Sequence, residues 1–173
     1  MHPAGSQPKE ERDDRARISR KQAQSGILDF PESAESASPE RFDYRPHERS
    51  PSAAEIVWTL TREAKACCEL IDSGQVNWAP QPAPADPQAI LSAFQTQYAA
   101  LDERIDRLNE STWQNKTKLF IDGQLFREAP LGEFLWYLFF DAIHHRGQLS
   151  TYIRPMGGQV PSIYGPSGDD PGS

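Results

Sequence analysis

The sequence predicts an all-α domain, a four-helix bundle, and three observations point there. Four segments carry apolar residues at helical spacing. The strongest, from Ile90 to Leu108, holds its stripe over nearly three heptads, and a proline-rich stretch at 79–87 supplies a long crossover between the second and third helices. At 173 residues the chain fits one domain, long enough to bury a core without disulfides or metals for stability.

Residues 1–17 are rich in Pro, Gly, Ser, Gln and charge. They cannot bury enough surface to offset the entropy of ordering, so they read as a flexible tail ahead of a helical domain spanning 18–170. The first helix is expected between Ile18 and Phe30, where apolar positions are sparse and Pro31 ends the pattern. Residues 39–52 (PERFDYRPHERSPS) carry three prolines, which bias the preceding residues toward extended backbone and mark a loop. Ser52, with Glu55 three residues on, forms a capping-box pattern that opens the second helix. Ile56, Leu60, Ala64, Cys67 and Ile71 supply its apolar face, and Ser73-Gly74 its end.

Residues 79–87 (APQPAPADP) hold four prolines and form a stiff extended connection. Asp86 caps the third helix, with Pro87 at its first position. Ile90, Leu91, Phe94, Tyr98, Leu101, Ile105 and Leu108 make its stripe, and Asp102, Glu103 and Arg107 its wet face. In KLFIDGQLFR, residues 118–127, Asp-Gly between two short apolar runs signals a tight turn or small hairpin. The fourth helix is expected from Ala129-Pro130 to about Arg154, before Pro155 and Gly157-Gly158. Leu131, Phe134, Leu135 and Leu138 define its face, and the same spacing places Asp141, Ala142, His145, Leu149 and Tyr152 on that stripe.

Composition narrows the function classes. The net charge is -7, from 25 acidic against 18 basic residues, and leaves no basic face to neutralise phosphates, so nucleic acid is not an expected partner. The N-terminus has no apolar stretch of the secretory kind, and acids interrupt it, against a transit peptide. The longest apolar run, Phe134 to Phe140, is far shorter than the roughly 20 residues a membrane span needs. Cys67 and Cys68 are adjacent, pointing about 100° apart on a helix, so they neither bridge easily nor form a zinc knuckle. They read as packing residues in a reducing cytoplasm.

Asp141 and His145, four apart, share one face of the last helix, as two ligands of one metal ion would. The alternative is a core histidine satisfied by the carboxylate. His144 lies about 100° off the stripe and reads as a surface or supporting residue. Gln148 and Arg154 extend the polar line. Arg154 suits either an anion or, preferably, the last carbonyls of its helix. Trp58, Trp78 and Trp136 fit a ligand pocket or, more commonly, a core.

Residues 141–170, DAIHHRGQLSTYIRPMGGQVPSIYGPSGDD, resemble the C-terminal signature of the DinB-like (damage-inducible) family, with HHRGQ, then Tyr-hydrophobic-Arg, then a loop of the form VPxxYGPS. RPHERSPSAAEIVW, residues 45–58, is similar to that family's entry into its second helix, so the likeness covers roughly 40–170. The resemblance implies a four-helix bundle with a long crossover and a bacterial stress-response setting. It also implies zinc or nickel held by three histidines, a small-molecule thiol or other small substrate for a metal-dependent transferase or hydrolase, and a homodimer.

Carried over position by position, one histidine falls on His145 and is retained. Another falls on Asp141, which keeps an oxygen donor, and the third falls on Thr59, a poor zinc ligand. Glu63, one turn from Thr59, could replace it, giving a Glu63, Asp141, His145 set with an open position; otherwise it is a solvated charge on the helix flank. Such an oxygen-rich set would tolerate manganese or magnesium better than three imidazoles do. Tyr164 and Ser167, in the C-terminal loop, are candidates for the entrance. The competing reading is a non-catalytic bundle that has lost its metal and serves as a binding or dimerisation module.

Overall fold

The computed structural model describes residues 41–163 and 165–172. The expected N-terminal tail, the first helix over 18–30 and Tyr164 lie outside those residues.

Helix α1 (Ala53–Ser73) begins at the expected capping box: Ser52 Oγ accepts from the Glu55 N–H, and the Glu55 carboxylate accepts from the Ser52 N–H. It ends where Gly74 takes φ +73, a left-handed conformation natural to glycine. Strand β1 (Gln75–Trp78) follows at once, and then the proline-rich connection. Helix α2 (Pro87–Ile105) opens with Asp86 accepting from the Gln88 N–H and Pro87 in the first turn. A single helical turn, α3 (Glu110–Trp113), leads to strands β2 (Lys116–Ile121) and β3 (Gln124–Pro130), and the long helix α4 (Leu131–Ile153) closes the order.

The expectation of an all-α chain needs one correction: a three-stranded mixed sheet, ordered β1-β2-β3, lies beside the helices. The Asp-Gly signal does make a hairpin, β2 pairing antiparallel with β3 through Asp122 (φ 49) and Gly123 (φ 78). What the sequence did not announce is β1, which pairs parallel with β2 from Gln75↔Lys118 to Trp78↔Ile121. Its four residues alternate outward and inward but are too few for periodicity to register. Asn77 ties it in further, its Oδ1 accepting from the Gly123 N–H at 2.9 Å in the hairpin turn.

Helix α1 packs against both α2 and α4, and the core runs between these faces. Every stripe residue of α2 from Ile90 to Ile105 is buried. In α4 the deepest line is Leu135, Phe139, Ala142, Arg146, Leu149 and Ile153, a 3-4 spacing that faces the bundle squarely. Leu135, Ala142 and Leu149 belong to the predicted stripe, but Phe139 and Arg146 take inward places that it did not include, and Asp141 and His145 flank the core instead of pointing into it. Among the described residues no helix is long and apolar enough to cross a membrane.

Candidate metal centre

Glu63 belongs to the apolar face of α1, next to Ala64 and Cys67, and is 3% exposed. The solvated-flank alternative for Glu63 is therefore excluded. Across the α1–α4 contact, His145 Nε2 lies 3.9 Å from Glu63 Oε1 and 3.9 Å from Asp141 Oδ2. One donor atom from each of the three residues falls within 4.8 Å of the others. Burial grades across the site: the His145 side chain is 22% exposed and that of Asp141 45%, so Asp141 stands at the solvent edge.

Electrostatics single out Glu63. Burial first, and then the facing Asp141 carboxyl, raise its pKa from 4.5 to about 9. Its Oε2 is buried without a hydrogen-bond partner among the described residues. A buried carboxyl oxygen left in that state costs roughly 1–3 kcal/mol, which a cation would recover. The donor set can be tested against an ion directly. Two oxygen or nitrogen donors on one zinc-sized ion, each about 2.0–2.2 Å away, stand at most about 4.4 Å apart. The 3.9 Å pairs already meet that limit and the 4.8 Å envelope needs only side-chain rotation, so the residues fit a small divalent cation.

The other expected residues take varied places. Thr59 Oγ1 donates to the Glu55 carbonyl at 2.9 Å, one turn back on its own helix, and is not in the cluster. His144 is exposed, as expected, with its ring edge-on to that of His145 at 5.2 Å. Gln148 reaches His145, Oε1 standing 3.4 Å from Nδ1. Arg154 does not serve the helix carbonyls as expected: its Nε donates to Asp169 Oδ2 at 2.9 Å, because the C-terminal loop brings that acid beside it. Ser167 organises the same loop, accepting from the Asp169 and Asp170 N–H groups. Cys67 and Cys68 are free and buried; burial pushes the Cys67 thiol well above its usual range and that of Cys68 to about 11, so both are packing groups as expected.

Two features of this region of the fold had no sequence signal. Arg146, between two leucine-spaced positions of α4, is 3% exposed. A cavity beside Glu63 and Asp141 depends on the sheet, which periodicity did not reveal.

The architecture is similar to that of solved proteins. A DinB-like protein from Bacillus subtilis shares 22% identity at a TM-score of 0.62, over 81% of this chain and 92% of that one. A DinB-like protein from Bacillus cereus shares 17% at a TM-score of 0.64, over 83% and 94%. A mycothiol-dependent maleylpyruvate isomerase shares 15% at a TM-score of 0.51, over 88% of this chain but 62% of that one. At these identities the likeness speaks to fold alone. No curated protein sequence matches. The family model of the DinB family matches residues 29–171, which contain all three residues of the cluster, and this chain belongs to the DinB family.

Proposed function

We propose that this chain holds a divalent metal ion through Glu63, Asp141 and His145 and uses it in a thiol-dependent transferase or hydrolase reaction. The observation that carries the reading is the unpartnered, buried Oε2 of Glu63, facing a second carboxylate and an imidazole from another helix. When bound, the ion would lower the pKa of a thiol or water and so supply a nucleophile at neutral pH. The chain's own groups suit that task. An Nδ1–H of His145 donating toward Gln148 Oε1 leaves the Nε2 lone pair directed at the two carboxyls. Glu63, sealed from water, fixes the inner side, while half-exposed Asp141 leaves the outer side open to a substrate.

The thiol part of the reading draws on the fold shared with a mycothiol-dependent isomerase, and the metal part on the donor set. Two oxygens and one nitrogen favour manganese or magnesium more than a three-imidazole site does, with zinc or nickel still accepted. A bundle domain over 18–170, a cytoplasmic setting and a homodimer complete the proposal. The test is metal content. The full chain, dialysed against zinc, nickel or manganese and desalted, is expected to retain about one ion, and His145→Ala to lose it. A wild-type protein that retains none, with a melting temperature unmoved by chelator, would replace this reading with the non-catalytic bundle. That alternative is favoured by one observation, the engagement of the Thr59 hydroxyl by its own helix.

A further inference from the structure

A cavity of about 250 Å³ opens between α1, the sheet and α4, with Glu63 and Asp141 at one end. Its floor is Leu70, Val76 and Phe134, all buried; Trp78 forms a wall; Ile121 and Tyr137 stand at the mouth, 38% and 62% exposed. An apolar cavity of about 150 Å³ is enough for a benzene ring, so this one takes a ring with a short chain.

The charges around it matter more than its size. Among the described residues no Lys, Arg or His lines the cavity, and its only carboxyls are those of Glu63 and Asp141. Two arginines lie against rings that line it but are engaged outside it. Arg62 lies over the Trp78 ring, 4.1 Å from its centroid, and donates to the Ala79 carbonyl, while Arg127 lies 5.8 Å from the centroid of Phe134; neither lines the cavity. A carboxylate carried on the apolar body of a ligand, away from the end where Glu63, Asp141 and a bound ion stand, would lose its water among Leu70, Val76, Trp78 and Phe134 with no counter-charge beside it.

We infer that the cavity takes the apolar body of an uncharged small substrate, aryl or alkyl, whose polar end faces Glu63 and Asp141, and that it rejects substrates with a carboxylate on that body. The inference rests on the metal-centre reading for the role of the polar end, and deepens it by naming the substrate class.

The test is calorimetry on the zinc-loaded full chain with two probes, benzyl mercaptan and 4-(mercaptomethyl)benzoate, which differ only in a carboxylate remote from the thiol. Benzyl mercaptan is expected to bind saturably and at least roughly tenfold tighter than the benzoate, the effect of about 1.4 kcal/mol. Val76→Phe fills the floor and is expected to weaken benzyl mercaptan by roughly tenfold with zinc uptake unchanged. Because that substitution in a buried strand can unfold the chain, Ile121→Lys provides a second arm: a cation at the mouth should raise affinity for the benzoate by roughly tenfold. Equal binding of the two probes, or no response in either variant, overturns the assignment while leaving zinc uptake, measured separately, to judge the metal centre. Should wild type take up no zinc, saturable binding of toluene to the metal-free chain supports the cavity assignment and its absence overturns it.

Discussion

Glu63→Gln separates a buried metal ligand from a buried carboxyl that merely tolerates its place. In the metal-free protein the Glu63 pKa stands at about 9, so at pH 7 the group is protonated, whereas a ligand must be a carboxylate. Ionising it at pH 7 spans about two pH units at 1.36 kcal/mol each, roughly 2.7 kcal/mol, or about a hundredfold in metal affinity. Between pH 6 and 8 wild type should therefore release one proton from Glu63 on binding, and log affinity should climb about one unit per pH unit from this group alone. The amide cannot release that proton. Glu63→Gln should bind zinc roughly 10- to 100-fold more weakly at pH 8, with a slope one unit shallower than wild type, as read by competition with a chromophoric chelator. A second readout uses no metal. A carboxyl with a raised folded pKa contributes stability that is full below 4.5 and is lost as pH rises through about 9. The melting temperature of chelated wild type should thus fall more between pH 7 and 10 than that of the variant. Parallel affinity slopes in the two proteins would refute the reasoning.

Three further expectations concern the frame that holds the site. A Cβ on Gly132 would sit 2.0 Å from Trp113 Nε1, so Gly132→Ala should destabilise by about 1–3 kcal/mol in urea unfolding despite the usual helix gain of about 1 kcal/mol; made in a Trp113→Ala background it should stabilise, and stabilisation in the wild-type background would contradict the packing. Arg104 reaches Asp72 at 2.8–3.0 Å through three contacts joining α2 to α1 and holds that carboxyl below its ordinary 3.8. Because the pair is partly exposed, Asp72→Asn should cost only about 0.5–1 kcal/mol at pH 7, and since the contribution is lost as pH falls from 3.8 through the lowered pKa, the gap between urea curves of the two proteins should narrow as pH drops below 3.8. Ser52→Ala removes one half of the capping box and should cost about 0.5–2 kcal/mol; unchanged or increased stability would show that the cap contributes nothing.

Much of the frame was legible because its signals are local. Ser52, Gly74, Asp86 and Pro87 mark helix ends by chemistry that acts within four residues, and each stands where its side chain or backbone predicts. The Asp122-Gly123 turn is of the same kind. The sheet escaped because β1 has meaning only through its partner: Val76 and Trp78 become inward-facing when β2, some forty residues on, lies alongside. The phase of α4 escaped for a different reason. Counting leucines and phenylalanines treats Arg146 as a polar interruption, yet it occupies the deepest line while Tyr137 and Phe140 face solvent. Pattern alone cannot weigh a long side chain that buries its stem against an aromatic left outside. Asp141 and His145 nonetheless come together, since spacing of four survives a shift of phase.

Glu63 is the residue that periodicity treats worst and the site explains best. Its neighbours on the inner face of α1, Leu60, Ala64 and Cys67, are those of an ordinary core position, and a leucine there would desolvate no charge and leave no oxygen unpartnered. Folding stability thus gives no reason for an acid. The two groups that face it, Asp141 and His145, enter from another helix and at the one edge of the core that opens toward the apolar cavity. A carboxyl with an unpartnered oxygen and a strongly raised pKa, beside a second carboxyl and an imidazole in a cleft, is the kind of arrangement found where proton or cation chemistry is done. The oxygen left unpartnered in the metal-free fold is the one with most to gain from a cation, so a bound ion would tie the stability of this bundle to the occupancy of the proposed centre.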